Sequence, residues 1–196
     1  MVSRRLRTAQ YLIKIGAIAL SYFWAAKLTI STLSLDGIAV AIWPAAGLAL
    51  AALLLLGRNT WPGVVLGAFF FILSKPESNL ILALTYPFGS SLQAWVGAYL
   101  LEKVGFSPKL ERQKDILALV ILAAGLSTSI NSILGTLTAI GRFEWNLFFR
   151  TWRIWWLGDI MGILIVTPII LTWYRLRGAN PPRPPLERGE REGHPL

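Results

Sequence analysis

The sequence contains no cysteine and one histidine, His194, and charged residues make up only 15% of its 196 residues. The absence of cysteine excludes disulfides, thiol catalysis and metal clusters held by cysteine. A lone histidine in a polar tail excludes histidine-rich metal sites and a bis-histidine haem. Motifs for a phosphate-binding loop, a histidine-based triad or a metal site are also missing. We therefore expect no enzymatic activity, no catalytic residues, no metal and no cofactor.

Hydrophobic residues, in contrast, make up 55% of the chain and occur in long blocks. An apolar run of ~20 residues is long enough to cross the ~30 Å hydrocarbon core of a bilayer as a helix. Only helices and closed barrels satisfy their backbone hydrogen bonds there, and these blocks lack the alternation of barrel strands. The sequence therefore predicts an all-α, polytopic transmembrane helix bundle of the cell membrane, inner or plasma.

The apolar blocks predict about six spans and three regions. The predicted helices cover residues 11–33, 38–56, 61–74, 79–101, 115–140 and 148–174. The third is short, because about fourteen residues reach only roughly 21 Å. The predicted regions are a cytoplasmic basic N-terminus at 1–10, a transmembrane domain at 11–175 and a disordered cytoplasmic tail at 176–196.

The formal net charge of +9 has a simple explanation in the distribution of lysine and arginine. With six spans and the N-terminus inside, most basic residues fall in cytoplasmic segments, as the positive-inside rule requires. This pattern predicts that both chain ends are cytoplasmic. It also makes the lipid bilayer, and not nucleic acid, the expected partner of the basic residues.

Charged side chains within membrane helices are costly and indicate a functional site by default. Asp159 lies about nine residues from the predicted outer end of the sixth helix, roughly 13 Å deep. Lys27 and Asn131 lie in the same outer half, on the first and fifth helices. We expect Lys27 to pair with Asp159, with Arg153 as the competing partner. A pair that only fixes helix register, a proton or ion relay, and a ligand-sensing pocket stay open as roles.

A proline and several small residues lie on the predicted helices. Pro44 predicts either a kink in the second helix or a helix that begins at Pro44 with Trp43 outside it. Gly158 and Gly162, on either side of Asp159, predict close helix packing. Trp156 belongs to a tryptophan-rich segment that is typical of a membrane interface. Trp43, Pro44 and Trp156 complete the candidate sensing residues.

Three stretches resemble a known family in their order and separation. They are IWPAAGLALA at 42–51, LGRNTWPGVVLGAF at 56–69 and WWLGDIMGILIVTP at 155–168. Together they resemble the bacterial membrane-associated sensor one (MASE-type) family of integral membrane sensory domains, over about residues 10–175. The residues of this sequence that match the family pattern are Trp43, Pro44, Gly47, Trp61, Pro62, Gly63, Gly67, Trp156, Gly158, Asp159, Gly162 and Pro168.

The resemblance implies the sensory input of a bacterial signalling protein. Relatives usually continue into a cytoplasmic kinase, cyclase or phosphodiesterase and carry further transmembrane helices. The tail here is rich in proline and arginine instead. We therefore expect a truncated sensor, or a multi-pass signal transduction subunit that acts through a cytoplasmic kinase or cyclase partner or as a homo-oligomer. The alternatives are a small transporter or channel-like protein with an Asp159-centred polar path, and an accessory subunit of a larger membrane complex.

Overall fold

The computed structural model describes residues 2–35, 39–40, 42–76, 80–140 and 144–179. Within these ranges the chain forms six helices and one short strand pair, which confirms the all-α prediction. The helices are α1 (Val2–Leu33), α2 (Pro44–Leu56), α3 (Trp61–Leu73), α4 (Leu80–Lys103), α5 (Gln113–Ala118, Leu119–Ser127 and Thr128–Ala139 in succession) and α6 (Trp145–Ala179). The middle segment of α5 is π-helical. Strands β1 (Ser34–Leu35) and β2 (Ala39–Val40) pair antiparallel.

Helix α2 begins six residues later than its predicted start at residue 38. Trp43 has φ −111° and ψ 84°, outside the helical region, and Pro44 occupies the first helical turn. Proline suits that position because its missing N–H has no intrahelical acceptor there. The kinked helix over 38–56 is therefore wrong, and the alternative start at Pro44 is confirmed.

Three other helix ends also differ from the prediction. Helix α1 begins at Val2 and not near residue 11, so most of the basic N-terminal segment is helical. Helix α6 runs from Trp145 to Ala179, longer than the predicted 148–174 at both ends. The tail from residue 180, expected to be disordered, lies outside the described residues.

Among the described residues, three helical segments are long and apolar enough to cross a membrane, namely Leu6–Thr32, Gln113–Thr138 and Trp145–Arg177. Helices α2 and α3 have 13 residues each. Such a helix is only about 20 Å long and falls short of the hydrocarbon core. Helix α4 has 24 residues but carries Pro87 and several polar side chains. Length and composition thus support three spans, and the count of six stays a prediction.

Helix α2 lies at the centre of the bundle, where it contacts α1, α4 and α6. Its alanines and leucines are buried around most of its circumference, as Ala45, Ala49, Leu50 and Leu53 show. A helix that is hydrophobic all round is expected to be buried. The other helices form a ring in which α3 packs between α1 and α4, and α5 packs between α4 and α6.

Glycines set the closest helix contacts in this bundle. A Cβ at Gly63 would lie 2.9 Å from the carbonyl oxygen of Ile15, and one at Gly67 would lie 2.6 Å from that of Ala19. Small residues let helix backbones approach in this way. The contact holds α3 against α1, and the same principle joins α2 to α6 at the functional site.

Candidate functional site

A closed polar pocket surrounds Asp159 near the middle of α6. We call its seven lining residues the Asp159 layer: Tyr22, Trp43, Ala46, Ser90, Gln93, Asn131 and Asp159. They come from α1, the entry to α2, α2 itself, α4, α5 and α6. Asp159 is 4% exposed and Gln93 2%. The pocket has no room for a water molecule in this conformation.

Helical periodicity brings these side chains together. On α1 the buried residues Ile18, Tyr22, Ala26 and Thr29 recur every three or four positions, which is one face of a helix. Tyr22 is the member of this stripe that lines the Asp159 layer. On α4, Ser90 and Gln93 are three residues apart and so lie on the same face.

A hydrogen-bond chain orients the carboxyl group. The Asn131 Nδ2 atom donates to Asp159 Oδ2 at 3.3 Å, and Ser90 Oγ donates to Asn131 Oδ1 at 3.5 Å. The Tyr22 and Tyr86 hydroxyls lie 3.2 Å apart beside this chain. Two buried polar atoms of the layer, Gln93 Oε1 and Trp43 Nε1, have no hydrogen-bond partner among the described residues. The layer is thus polar, dry and incompletely satisfied.

The glycines beside Asp159 let the Trp43–Pro44 turn rest directly on α6. The Trp43 backbone N–H donates to the Gly158 carbonyl oxygen at 2.9 Å. A Cβ at Gly162 would overlap the Trp43 carbonyl oxygen, and one at Gly47 would overlap the Gly162 carbonyl oxygen. One turn further along α6, Thr167 Oγ1 donates to the Gly47 carbonyl oxygen at 3.0 Å. The packing predicted for Gly158 and Gly162 is therefore present, with the turn before α2 and its first residues as the partner.

Trp156 points to α5 and not to the pocket. Its Nε1 donates to the Gly125 carbonyl oxygen at 3.0 Å. Gly125 lies in the π-helical segment, where the widened i→i+5 ladder changes which carbonyls are free. This bond holds the π segment against α6, three residues before Asp159.

Two predicted members of the layer lie elsewhere. Lys27 is exposed and its Nζ donates to Ser74 Oγ at 3.0 Å. Arg153 is exposed and its Nε donates to the Phe149 carbonyl oxygen at 3.3 Å. Because Lys27 follows Tyr22 by five residues, it lies roughly 140° away around α1. The predicted Lys27–Asp159 pair is therefore wrong, and none of the ion pairs between described residues includes Asp159.

The structure does place Asn131 and Trp43 beside Asp159, and Pro44 directly after Trp43. The sequence reasoning missed Tyr22, Ser90 and Gln93. Gln93 carried a usable signal, since a polar residue between Gly89 and Gly97 marks the small, polar face of α4. Of the remaining motif residues, Trp61 and Pro62 begin α3, and Pro168 lies inside α6.

A second group of charged residues ties α6 to the segment between α4 and α5. Arg175 pairs with Glu111 at 2.6 Å, and Arg112 binds both carboxylate oxygens of Asp115 at 2.7 and 2.8 Å. The hydrogen bond from Arg112 to Asp115 raises the pKa of the arginine above its usual value. Arg112 also donates to the Gly105 carbonyl oxygen at 2.8 Å. These contacts order the 104–112 segment beside the end of α6.

Comparison with known proteins identifies the family. The MASE1 family model matches residues 15–191, nearly the whole chain. No curated protein and no solved structure matches this chain. MASE1 is a membrane-associated sensor domain that serves as a sensory input, in agreement with the family resemblance of the three motif blocks. The motif residues Trp43, Gly47, Gly158 and Gly162 are the ones that join the α2 entry to α6. The chain belongs to the MASE1 family of membrane sensor domains.

Proposed function

We propose that this sensor domain detects its stimulus at the Asp159 layer and passes the signal along α6 to a cytoplasmic partner. The observation that carries the proposal is the position of Asp159 on α6, which stays helical from Trp145 to Ala179 although Pro168 removes one backbone hydrogen bond within it. Residues from the other elements of the layer meet α6 at that point. A change in the layer therefore acts on the helix that leads out of the bundle.

The length of α6 suits this role. About 20 residues separate Asp159 from the end of α6 at Ala179, which corresponds to about 30 Å of helix. Near that end Arg175 pairs with Glu111. Helix shifts of about 1–2 Å are a common form of switching in proteins. We infer that repacking around Asp159 moves Arg175 relative to the 104–112 segment.

The partner in this proposal is a cytoplasmic kinase or cyclase, or a second copy of the chain. The membership of the chain in a sensory family supports a signalling output of this kind. The transporter alternative needs a hydrated path, whereas the Asp159 layer has no room for water in this conformation. The closed layer therefore favours a sensor over a channel that is open at rest.

The absence of cysteine allows a direct test with two introduced spin labels. Val104→Cys and Tyr174→Cys place the labels at exposed positions on the 104–112 segment and on α6. In the full chain in lipid nanodiscs, we expect Asp159→Ala to shift the label distance by about 1–2 Å. The substitution removes the acceptor of Asn131 and so loosens the layer.

The matched control is Glu144→Ala, which removes an exposed carboxylate at the other end of α6 and is expected to leave the distance unchanged. Asn131→Ala serves as a second layer variant if Asp159→Ala fails to fold. An unchanged distance in a folded layer variant would overturn the proposed coupling along α6.

A further inference from the structure

Among the residues that the structure describes, none offers a positive charge beside Asp159 to balance an ionised carboxylate. The described titratable groups that face it are the Tyr22 hydroxyl from α1 and the Tyr86 hydroxyl from α4. The α2 entry, α2 and α5 contribute only Trp43, Ala46 and Asn131 to the pocket, none of which titrates. An unpaired charge in this buried position is strongly disfavoured within a membrane. Some ligand must therefore neutralise the carboxylate.

The hydrogen bonds within the layer indicate that it lacks a hydrogen-bond donor. An ionised carboxylate only accepts hydrogen bonds, whereas a protonated one also donates one. Asp159 Oδ2 already accepts from Asn131 Nδ2. Gln93 Oε1 is a buried acceptor without a donor in the same pocket. Gln93 lies within hydrogen-bonding reach of Asp159. An amide can present either its nitrogen or its oxygen to a carboxyl group, so with Oε1 turned towards Asp159 a hydrogen on the carboxyl group would supply the donor that Gln93 Oε1 lacks.

The size of the pocket limits which ligand could neutralise Asp159. It has no room for a water molecule, so a bridging water does not satisfy Gln93 in this conformation. The described residues also contain no group of three or more histidine, cysteine, aspartate or glutamate side chains that could hold a metal ion. A proton needs no additional space and neutralises the charge completely.

We propose that Asp159 is a proton-binding site, neutral in the closed layer, with its O–H donating to Gln93 Oε1. Release of the proton to water leaves an anion facing an acceptor in a dry pocket, and the layer repacks to admit a donor or solvent. This inference rests on the proposed function, and it names proton availability as the stimulus.

Infrared spectroscopy of the full chain in lipid tests the proton directly. A protonated carboxylic acid has a carbonyl stretch above the amide I band. At neutral pH we expect this band in the unmodified protein, its loss in Asp159→Asn, and its retention in the exposed-carboxylate control Glu144→Gln. Gln93→Leu removes the acceptor and is expected to shift the band to higher frequency, an effect that loose packing alone would not produce.

Two outcomes would overturn the proton site. One is the absence of the band at neutral pH in the folded protein. The other is an ionised Asp159 carboxylate stretch at neutral pH that shifts when sodium replaces potassium, which would indicate a cation as the ligand. Asn is isosteric with the protonated acid, so Asp159→Asn is expected to fold.

Repeating the 104–174 label distance measurement across pH separates this inference from the proposed function. A pH-dependent band with a constant distance would support the proton site and overturn the coupling along α6. A distance shift in Asp159→Ala without any band would overturn the proton site and leave the coupling standing.

Discussion

Gly162 allows the close packing contact between the Trp43–Pro44 turn and α6. A side chain at this position would overlap the Trp43 carbonyl oxygen. Gly162→Ala is therefore expected to displace the turn and break the bond from Trp43 N–H to the Gly158 carbonyl. Such overpacking costs about 1–3 kcal/mol. Thermal unfolding of the purified protein in detergent measures the loss.

Gly16 is the matched control, because a Cβ there meets nothing within 4 Å. Gly16→Ala is expected to leave the stability unchanged, or to raise it by up to ~1 kcal/mol through helix propensity. Equal unfolding temperatures for Gly162→Ala and the unmodified chain would contradict the close contact.

The sequence singles out Asp159, because a charge within an apolar run is costly unless it has a role, and the structure shows this residue buried in a pocket with polar neighbours. Its neighbours are harder to predict. Counting residues gives the depth of Lys27 in the membrane but not its direction around α1, and Lys27 points away from the stripe that contains Tyr22. Ser90 and Gln93 face Asp159 because of how α4 packs on α2 and α5, which a single sequence does not specify.

The π-helical segment of α5 precedes Asn131 on the same helix, so its register affects the direction in which Asn131 points. A π turn holds one more residue than an α turn, so removing one residue lets the segment become α-helical with Asn131 still facing Asp159. Ile121 is exposed and lies within this segment. Deleting Ile121 is expected to preserve folding, as measured by the yield of monodisperse protein, and to weaken the Trp156–Gly125 bond.

Deleting Ile133 provides the comparison, because it is also exposed but lies in the α-helical segment Thr128–Ala139. This deletion turns Gly135 and Thr136 by about 100°. Gly135 then leaves the Trp155 ring that it packs against. If both deletions lower the yield equally, the π segment does not absorb a residue as we expect.

Hydropathy predicts that six helices exist and roughly where each one lies, since each is an apolar block bounded by polar or turn residues. It does not predict the π segment, because LVILAAGLS has the composition of an ordinary α-helix. The widened turn accompanies a tertiary contact, the bond from Trp156 to Gly125. The start of α2 also depends on such a contact, because the free Trp43 N–H finds its acceptor on α6.

Contacts between distant residues suggest how the whole molecule lies in the membrane. The Tyr11 hydroxyl donates to the Asn59 carbonyl oxygen, Arg58 pairs with Glu102, and Glu111 pairs with Arg175. These contacts bring the early part of α1, the α2–α3 turn, the 104–112 segment and the end of α6 to one end of the bundle. Lys27 and Ser74 meet beyond the opposite end of α3. Successive helices therefore run in alternating directions, as the prediction of six crossings requires.

Single cysteines in the naturally cysteine-free chain test this topology. With six crossings and a cytoplasmic basic end, we expect a membrane-impermeant maleimide to label Glu144→Cys in intact cells. Gln10→Cys, Asn59→Cys and Tyr174→Cys would react only after lysis, which serves as the labelling control for every site. Labelling of Asn59→Cys and Tyr174→Cys in intact cells, with Glu144→Cys protected, would instead mean that only α1, α5 and α6 cross. In that arrangement α6 would end outside and could not reach a cytoplasmic partner, so the same experiment also decides whether the proposed direction of signalling is physically available.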